Sequence, residues 1–409
     1  MKIYRVGGAV RDALLGLPVK DIDYVVVGSS PEQMIAAGYT PVGNDFPVFL
    51  HPTTHAEYAL ARTERKSAPG YRGFVFHCAP DVTLEQDLAR RDLTINAMAV
   101  TDSTAQEAGP DPTIIDPFGG QDDLSNRLFR HVSDAFSEDP VRILRVARFS
   151  ARFPQFTIAP ETMRLMRTMT DAGEVDALVP ERVWQELARG LMENRPSRMI
   201  EVLREATALA RIMPELDLLW AKYMSASAHT SRGSHLLHVV DYAADCHHTL
   251  AVRWAAMLIE LANATQSDYG DQPAANNAPL SLCTRLKVPT ESKDVALIAC
   301  REHRIINDSL TMPADQIVKL LMRCDAFRRP ARWAEILQAV RCYYLLSPAN
   351  FIQHDFLEHS RVIALSVPGE KIAQETVQRF PAQPARIAED LFNARVVAVS
   401  NFTKKQASA

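Results

Sequence analysis

The chain lacks an excess of charge of either sign: 45 Lys and Arg stand against 49 Asp and Glu, for a net charge of -4. A molecule-wide basic field is thereby excluded, so any contact with nucleic acid has to come from local patches. No apolar run is long enough to span a bilayer. The opening Met1-Lys2-Ile3-Tyr4-Arg5-Val6 reads as a first strand rather than a signal peptide, and no membrane role is expected. There is no Cys-x-x-Cys pair. The six cysteines, Cys78, Cys246, Cys283, Cys300, Cys324 and Cys342, are scattered and read as reduced, mostly buried thiols of a cytoplasmic protein. Internal repeats and low-complexity tracts are absent as well.

What is there points to an ordinary globular composition, 47% apolar and 23% charged, in a chain of 409 residues that holds more than one domain. Near the start, Gly7-Gly8-Ala9-Val10-Arg11-Asp12 is followed nine residues later by Asp21-Ile22-Asp23. Adjacent glycines let backbone approach a triphosphate with no Cβ in the way. The stretch from Val10 to Leu15 reads as the start of a helix, whose free N–H groups and dipole favour phosphate. The run 20–27 reads as a strand, and residues two apart on a strand share a face. Asp21 and Asp23 then present two carboxylates side by side, as a pair of Mg²⁺ ions requires for in-line displacement at phosphorus. Each half alone is commonplace; the order and spacing of the two together make them specific.

Strands are expected over 3–6, 22–27, 47–50, 57–62 and 74–78, with a charged loop over 62–70 that could close on a triphosphate. From about Asp139 onward the periodicity is helical. The segment 265–279 reads as a polar loop, and 403–409 as a frayed tail. Two further clusters stand out. In Arg90-Arg91-Asp92-Leu93-Thr94-Ile95-Asn96, paired arginines suit phosphate oxygens, Asp92 can accept from a ribose hydroxyl and Asn96 can fix a turn. In Glu138-Asp139-Pro140-Val141-Arg142, an Asp cap and a first-turn proline open a helix on which Arg142, Arg145 and Arg148 form one stripe.

With these three clusters in order, the chain resembles the bacterial tRNA nucleotidyltransferases, the CCA-adding enzymes of class II. The resemblance is dense over 1–214 and thinner beyond. It implies an α+β fold: a polymerase-β-like nucleotidyltransferase head with a mixed sheet over 1–137, then an all-α neck (138–214), body (215–330) and tail (331–409), the tail binding tRNA. It also implies Gly8 and Arg11 at the triphosphate of ATP or CTP, and Asp21 and Asp23 on Mg²⁺. Arg91 and Asp92 would lie at phosphate and ribose. Asp139 and Arg142 would read the base, with Arg145 and Arg148 supporting the nucleotide. The implied activity is template-independent addition of C, C and A to the 3′ end of tRNA.

Base selection follows from hydrogen-bond polarity. Cytosine and adenine each place an amino group beside an unprotonated ring nitrogen, so a carboxylate can accept from one and a guanidinium donate to the other. Uracil and guanine reverse both polarities and would leave buried groups unpaired. Relatives of this type carry a metal-binding His-Asp phosphohydrolase module in the C-terminal half. Here the doublet falls on Ile259-Glu260, and isoleucine cannot ligate a metal. His235, His238, His247, His248 and His303 then read as remnants or surface residues, and phosphohydrolase activity is expected to be absent. Patches such as Arg328-Arg329-Pro330-Ala331-Arg332 are candidates for RNA contact. Competing readings are a poly(A) polymerase, an enzyme adding only CC or only A, and an inactive RNA-binding scaffold.

Overall fold

Alternation in the first strands decides the layering of the N-terminal region. β1 (Lys2–Val6) and β2 (Asp23–Val27) pair antiparallel, with Val6 opposite Asp23 and Lys2 opposite Val27. Val25 and Val27 join Tyr4 and Val6 in one apolar cluster, whereas Tyr24 and Val26 join Ile3, Met34 and Phe49 in another. The sheet thus has apolar side chains on both faces, as period-two alternation demands when both are covered. The computed structural model describes residues 1–19, 21–42, 48–66, 74–101, 113–221, 230–269 and 278–407. Its compact units are Met1–Leu187 with Arg198–Ile212, and Ala188–Ser197 with Met213–Ala409.

In the first unit, β3 (Thr40–Val42), β4 (Val48–Leu50) and β5 (Glu57–Leu60) follow on one side of β2. β6 (Thr63–Lys66) and β7 (Phe74–His77) form a separate antiparallel pair, and β8 (Ala99–Thr101) and β9 (Ile114–Ile115) lie beyond β1. The main sheet runs β3-β4-β5-β2-β1-β8-β9, mixed because β2 and β5 are parallel while its other neighbours are antiparallel. β10 (Leu128–Phe129) and β11 (Thr157–Ile158) make a short parallel pair.

Several expected boundaries move. The strand expected over 20–27 begins at Asp23; Asp21 precedes the ladder, and Lys20 lies outside the described residues. Within the expected loop 62–70, Thr63–Lys66 is strand, because its pairing with Phe74–His77 supplies hydrogen bonds a local reading cannot see; residues 67–70 lie outside the described residues. The expected loop 265–279 starts later, since the helix Leu250–Tyr269 runs through its first part and another begins at Ala278. The C-terminal helix, Arg386–Ala407, continues through most of the expected tail.

The second unit is helical. Its long helix Leu250–Tyr269 buries Val252, Trp254 and every residue from Ala255 to Leu261, as a helix surrounded by others must. It packs against helices Arg232–Asp245, Ala278–Arg285, Thr290–Asn307 and Pro330–Tyr343. His303, only 1% exposed, lies in this packing. Burial, assisted by the Arg304 charge and opposed by Glu260 and backbone carbonyls, pushes its pKa from 6.5 down to about 4. Between those values unfolding takes up a proton, so stability declines as pH falls from about 6.5 towards 4 and is level above about 7. His303 alone is expected to contribute about 2 kcal/mol less at pH 5 than at pH 7.5. His248, pushed to about 4 by burial and then by Arg341, steepens the same slope. Denaturant titrations at several pH values check this; His303→Gln has to flatten the curve, and an unchanged slope would contradict the assignment.

Candidate active site

The register of β1 sets the site. Val6 lies opposite Asp23 on one side and Ala99 on the other, and the chain turns immediately afterwards at Gly7. Gly7 has φ +69°, and its N–H donates to the Met98 carbonyl at 3.2 Å. Its own carbonyl accepts from Val10 and Arg11 as the helix Gly8–Leu14 starts. A Cβ on Gly7 would stand 2.8 Å from Arg91 Nη1. Glycine is therefore required by the backbone conformation, and a Cβ there would also displace the guanidinium end of Arg91. Asp23, Gly7 and Arg91 thus come together, and Asp21 and Asp23 both face solvent.

The helix Leu84–Ala89 ends at Arg90, and buried Asp87, one turn back, anchors both arginines. Its Oδ1 accepts from Arg90 Nη2 at 2.7 Å and its Oδ2 from Arg91 Nη2 at 3.3 Å. Burial opposes charge on Asp87, but the two guanidinium groups outweigh it and hold the carboxyl below its ordinary value.

Asp92 is buried and turned inward, where its Oδ1 accepts from Leu93 N and from Asn96 Nδ2 at 3.0 Å. Its Oδ2 accepts from Arg145 Nε at 2.7 Å, across 53 positions of chain. Burial again opposes the charge; Arg145 and Asn96 prevail and keep the carboxyl well below the usual range. Arg11 is 3% exposed, donating to Asn96 Oδ1 at 2.6 Å and to Asp12, with its guanidinium 5.2 and 5.3 Å from the rings of Phe149 and Phe153. Aromatic faces and two acceptors draw it inside, so it braces the turn instead of projecting from it. Arg152 closes the circuit on Asp12 at 2.9 Å.

The stripe lies on the helix Val141–Arg152, whose first N–H, of Val141, is capped by Asp139 Oδ1 at 3.1 Å. Arg142 is buried, its Nη1 and Nη2 each donating at 2.6 Å to the carbonyls of Ala135 and Arg90. Arg148 donates to Glu186 at 2.6 Å and lies 4.6 Å from the Phe149 ring. The Asp139 carboxylate accepts from Arg182 Nη2 at 3.0 Å. Arg11, Arg91, Asp92, Arg142 and Arg145 therefore belong to one bonded assembly through Asn96, Asp87 and the Arg90 backbone; Asp139, held by Arg182, and Arg148, held by Glu186, flank it on the same helix. Asp12, Asp87, Arg152, Arg182 and Glu186 are partners that the sequence reading did not single out. Arg182 and Glu186 sit four apart on the helix Pro180–Leu191, the spacing of one helix face, but nothing local shows what that face meets.

Comparisons with known proteins identify the family. The family described as "Poly A polymerase head domain" matches residues 3–130, and that described as "Probable RNA and SrmB- binding site of polymerase A" matches 155–219. The multifunctional CCA protein of Janthinobacterium sp. (strain Marseille) is 55% identical over 99% of both chains. The chain belongs to the multifunctional CCA protein family. Its fold is that of CCA-adding enzymes: the Thermotoga maritima enzyme complexed with tRNA has a TM-score of 0.66 at 22% identity, over 98% of this chain and 87% of that one. The Bacillus stearothermophilus enzyme in complex with CTP has a TM-score of 0.66 at 23% identity, over 98% and 88%. Members of this family work with a divalent cation. The donor set here, two exposed carboxylates, suits a hard cation that takes its remaining ligands from water and phosphate oxygens. No described helix is long and apolar enough to cross a membrane.

Proposed function

We propose that this chain completes the 3′ end of tRNA, adding C, C and A in turn from CTP and ATP without a nucleic-acid template and releasing pyrophosphate. The observation that carries the reading is the Asp92–Arg145 bond. Through Asn96 and Arg11 it joins the glycine turn and the Arg-Arg-Asp segment to the helix of the arginine stripe, so phosphate-binding and base-reading groups share one rigid support. The named relatives, a multifunctional CCA protein and CCA-adding enzymes with tRNA and with CTP, support the same reading. A cytoplasmic setting belongs to it, in keeping with six free thiols.

In this reading Asp21 and Asp23 hold Mg²⁺, which when bound acidifies the attacking 3′-hydroxyl and neutralises charge on the departing pyrophosphate. The Gly7-Gly8 turn admits the triphosphate, and Arg91, lying on that turn, supplies charge to its oxygens. Asp87 and Asn96 fix the position of Arg91. Asp139 accepts from the amino group of cytosine or adenine, and Arg142 donates to the adjoining ring nitrogen. The two carbonyls that Arg142 grips set its plane beforehand, while Arg182 sets the Asp139 carboxylate.

Discrimination is therefore expected to weaken when that support is removed. Arg182→Ala should raise UTP incorporation relative to CTP by roughly tenfold, and Asp139→Ala by more, since an unpaired buried group is worth about 1–3 kcal/mol. Single-nucleotide incorporation with each NTP measures it, and an unaltered ratio in both variants would remove the base-reading assignment. The function itself is tested on a tRNA transcript lacking its terminal CCA. Growth by three nucleotides, requiring both CTP and ATP, is the expected result. Long A tails on any RNA would make the chain a poly(A) polymerase, arrest after CC or addition of A alone would make it a partial enzyme, and no incorporation would leave an RNA-binding scaffold.

A further inference from the structure

At the position where the family resemblance implies a metal-binding His-Asp doublet, Ile259 is completely buried and offers no donor atom, while Glu260 beside it is 0% exposed yet ionisable. A carboxylate so placed needs a counter-charge. It has one: Arg232 Nη1, from the preceding helix, donates to Glu260 Oε1 at 2.8 Å, and His235 Nδ1 meets Oε2 at 2.5 Å. One turn further along, Asn263 presents its Oδ1 to a second guanidinium, that of Arg304, at 2.7 and 3.1 Å, and donates its amide to Tyr343 at 2.8 Å. His303 completes the cluster with Nδ1 2.9 Å from the Cys300 carbonyl and Nε2 3.2 Å from Asn263 Oδ1. Both polar residues that the long helix turns into the cluster are thus met by arginine. Among the described residues no group of three or more His, Cys, Asp or Glu side chains could hold a metal ion.

We infer that the Arg232 guanidinium has taken the place of a divalent cation at a converted metal centre. The donors left do not fit a metal: one carboxylate has both oxygens engaged, and both nitrogens of His303 face protein oxygens. A fixed positive charge on Arg232 would also repel an incoming cation. The ion pair ties helices Arg232–Asp245 and Leu250–Tyr269 together as the ion would have tied its ligands, so the second unit folds without metal and has no cation with which to activate water for phosphoester hydrolysis. This inference is independent of the nucleotidyl-transfer reading.

The test uses the full chain carrying Asp21→Ala and Asp23→Ala, which removes the carboxylates assigned to Mg²⁺. It is titrated with Ni²⁺ and with Mn²⁺ by calorimetry and thermal melting, beside the same chain carrying His235→Ala. No His235-dependent binding and no metal-induced change in Tm are expected. One equivalent bound by the parent and lost with His235→Ala would overturn the inference, as would hydrolysis of 2′,3′-cyclic AMP by the wild-type chain with Ni²⁺ above a heat-killed control. In a second arm Arg232→Met is expected to lower Tm by several degrees and Arg232→Lys to recover part of that loss. A methionine variant melting as high as wild type would show that Glu260 needs no cation and would equally overturn it.

Discussion

Replacing Asp23 by alanine is expected to slow nucleotide addition by about a thousandfold or more while leaving stability within about 0.5 kcal/mol of wild type. The two effects separate because backbone and side chain do different jobs at this position. The backbone of Asp23 pairs with Val6 at the end of β2, which any residue other than proline can do, whereas its carboxylate faces solvent beside the Gly7 turn. Alanine keeps the ladder and removes one of the two charges proposed to hold a cation against the triphosphate. Asp21→Ala is expected to behave alike, and more cleanly, since Asp21 lies ahead of the ladder. Single-turnover incorporation on a trimmed tRNA, with a denaturant melt of the same preparations, measures both. Activity within tenfold of wild type in both variants would exclude these carboxylates from the reaction.

Asp92→Asn is expected to do the opposite, costing stability and activity together. The amide keeps the shape but removes the charge facing Arg145, and it brings an N–H group into a place where Arg145 and Asn96 already donate. Breaking a buried pair costs about 3–5 kcal/mol; with the Arg145 side chain 37% exposed, water recovers part, and roughly 2 kcal/mol is the expected loss. In the double-mutant cycle with Arg145→Met, the loss from Asp92→Asn should shrink by about 1–2 kcal/mol. Additive losses would mean that the two residues act separately. Because the Asp92 carboxyl is held below its ordinary value, its contribution is intact above about pH 4 and is lost as pH falls below that. The difference between wild type and variant is then constant at neutral pH and narrows in acid.

The chemistry-bearing motifs were legible because each is local. The glycine turn, the arginine pair ending a helix and the helix behind Asp139 all declare themselves within a few residues, and the structure has each as a local element, with Pro140 at the cap and the helix starting one residue later, at Val141. Direction was less legible. Nothing near Arg11 in the sequence shows that Phe149, Phe153 and Asn96, far along the chain, enclose it. Nor does anything local show that Asp92 pairs with Arg145, 53 positions on. Arg182 and Glu186 could not be singled out at all, since their helix shows a face but not what the face meets. The same limit explains Thr63–Lys66: charged residues near breakers look like a loop, and only pairing with Phe74–His77 makes them strand. The helix through 265–269 continues one whose earlier turns are buried, and a local reading of polar composition does not announce that continuation.

The hydrogen bonds of Arg142 and Asp139 bear on turnover. Arg142 already grips two backbone carbonyls, and Asp139 already holds Arg182. On the base-reading assignment, an arriving base adds hydrogen bonds to groups that already have protein partners, and the net gain from each is small. Binding strength then comes chiefly from the triphosphate, which is the same for every nucleotide, and the base contributes mainly a veto. Once pyrophosphate leaves, the newly joined nucleotide has lost its strongest hold, so the pocket empties readily for the next round. A site that must be refilled three times in succession is better served by this loose grip than by a tight one.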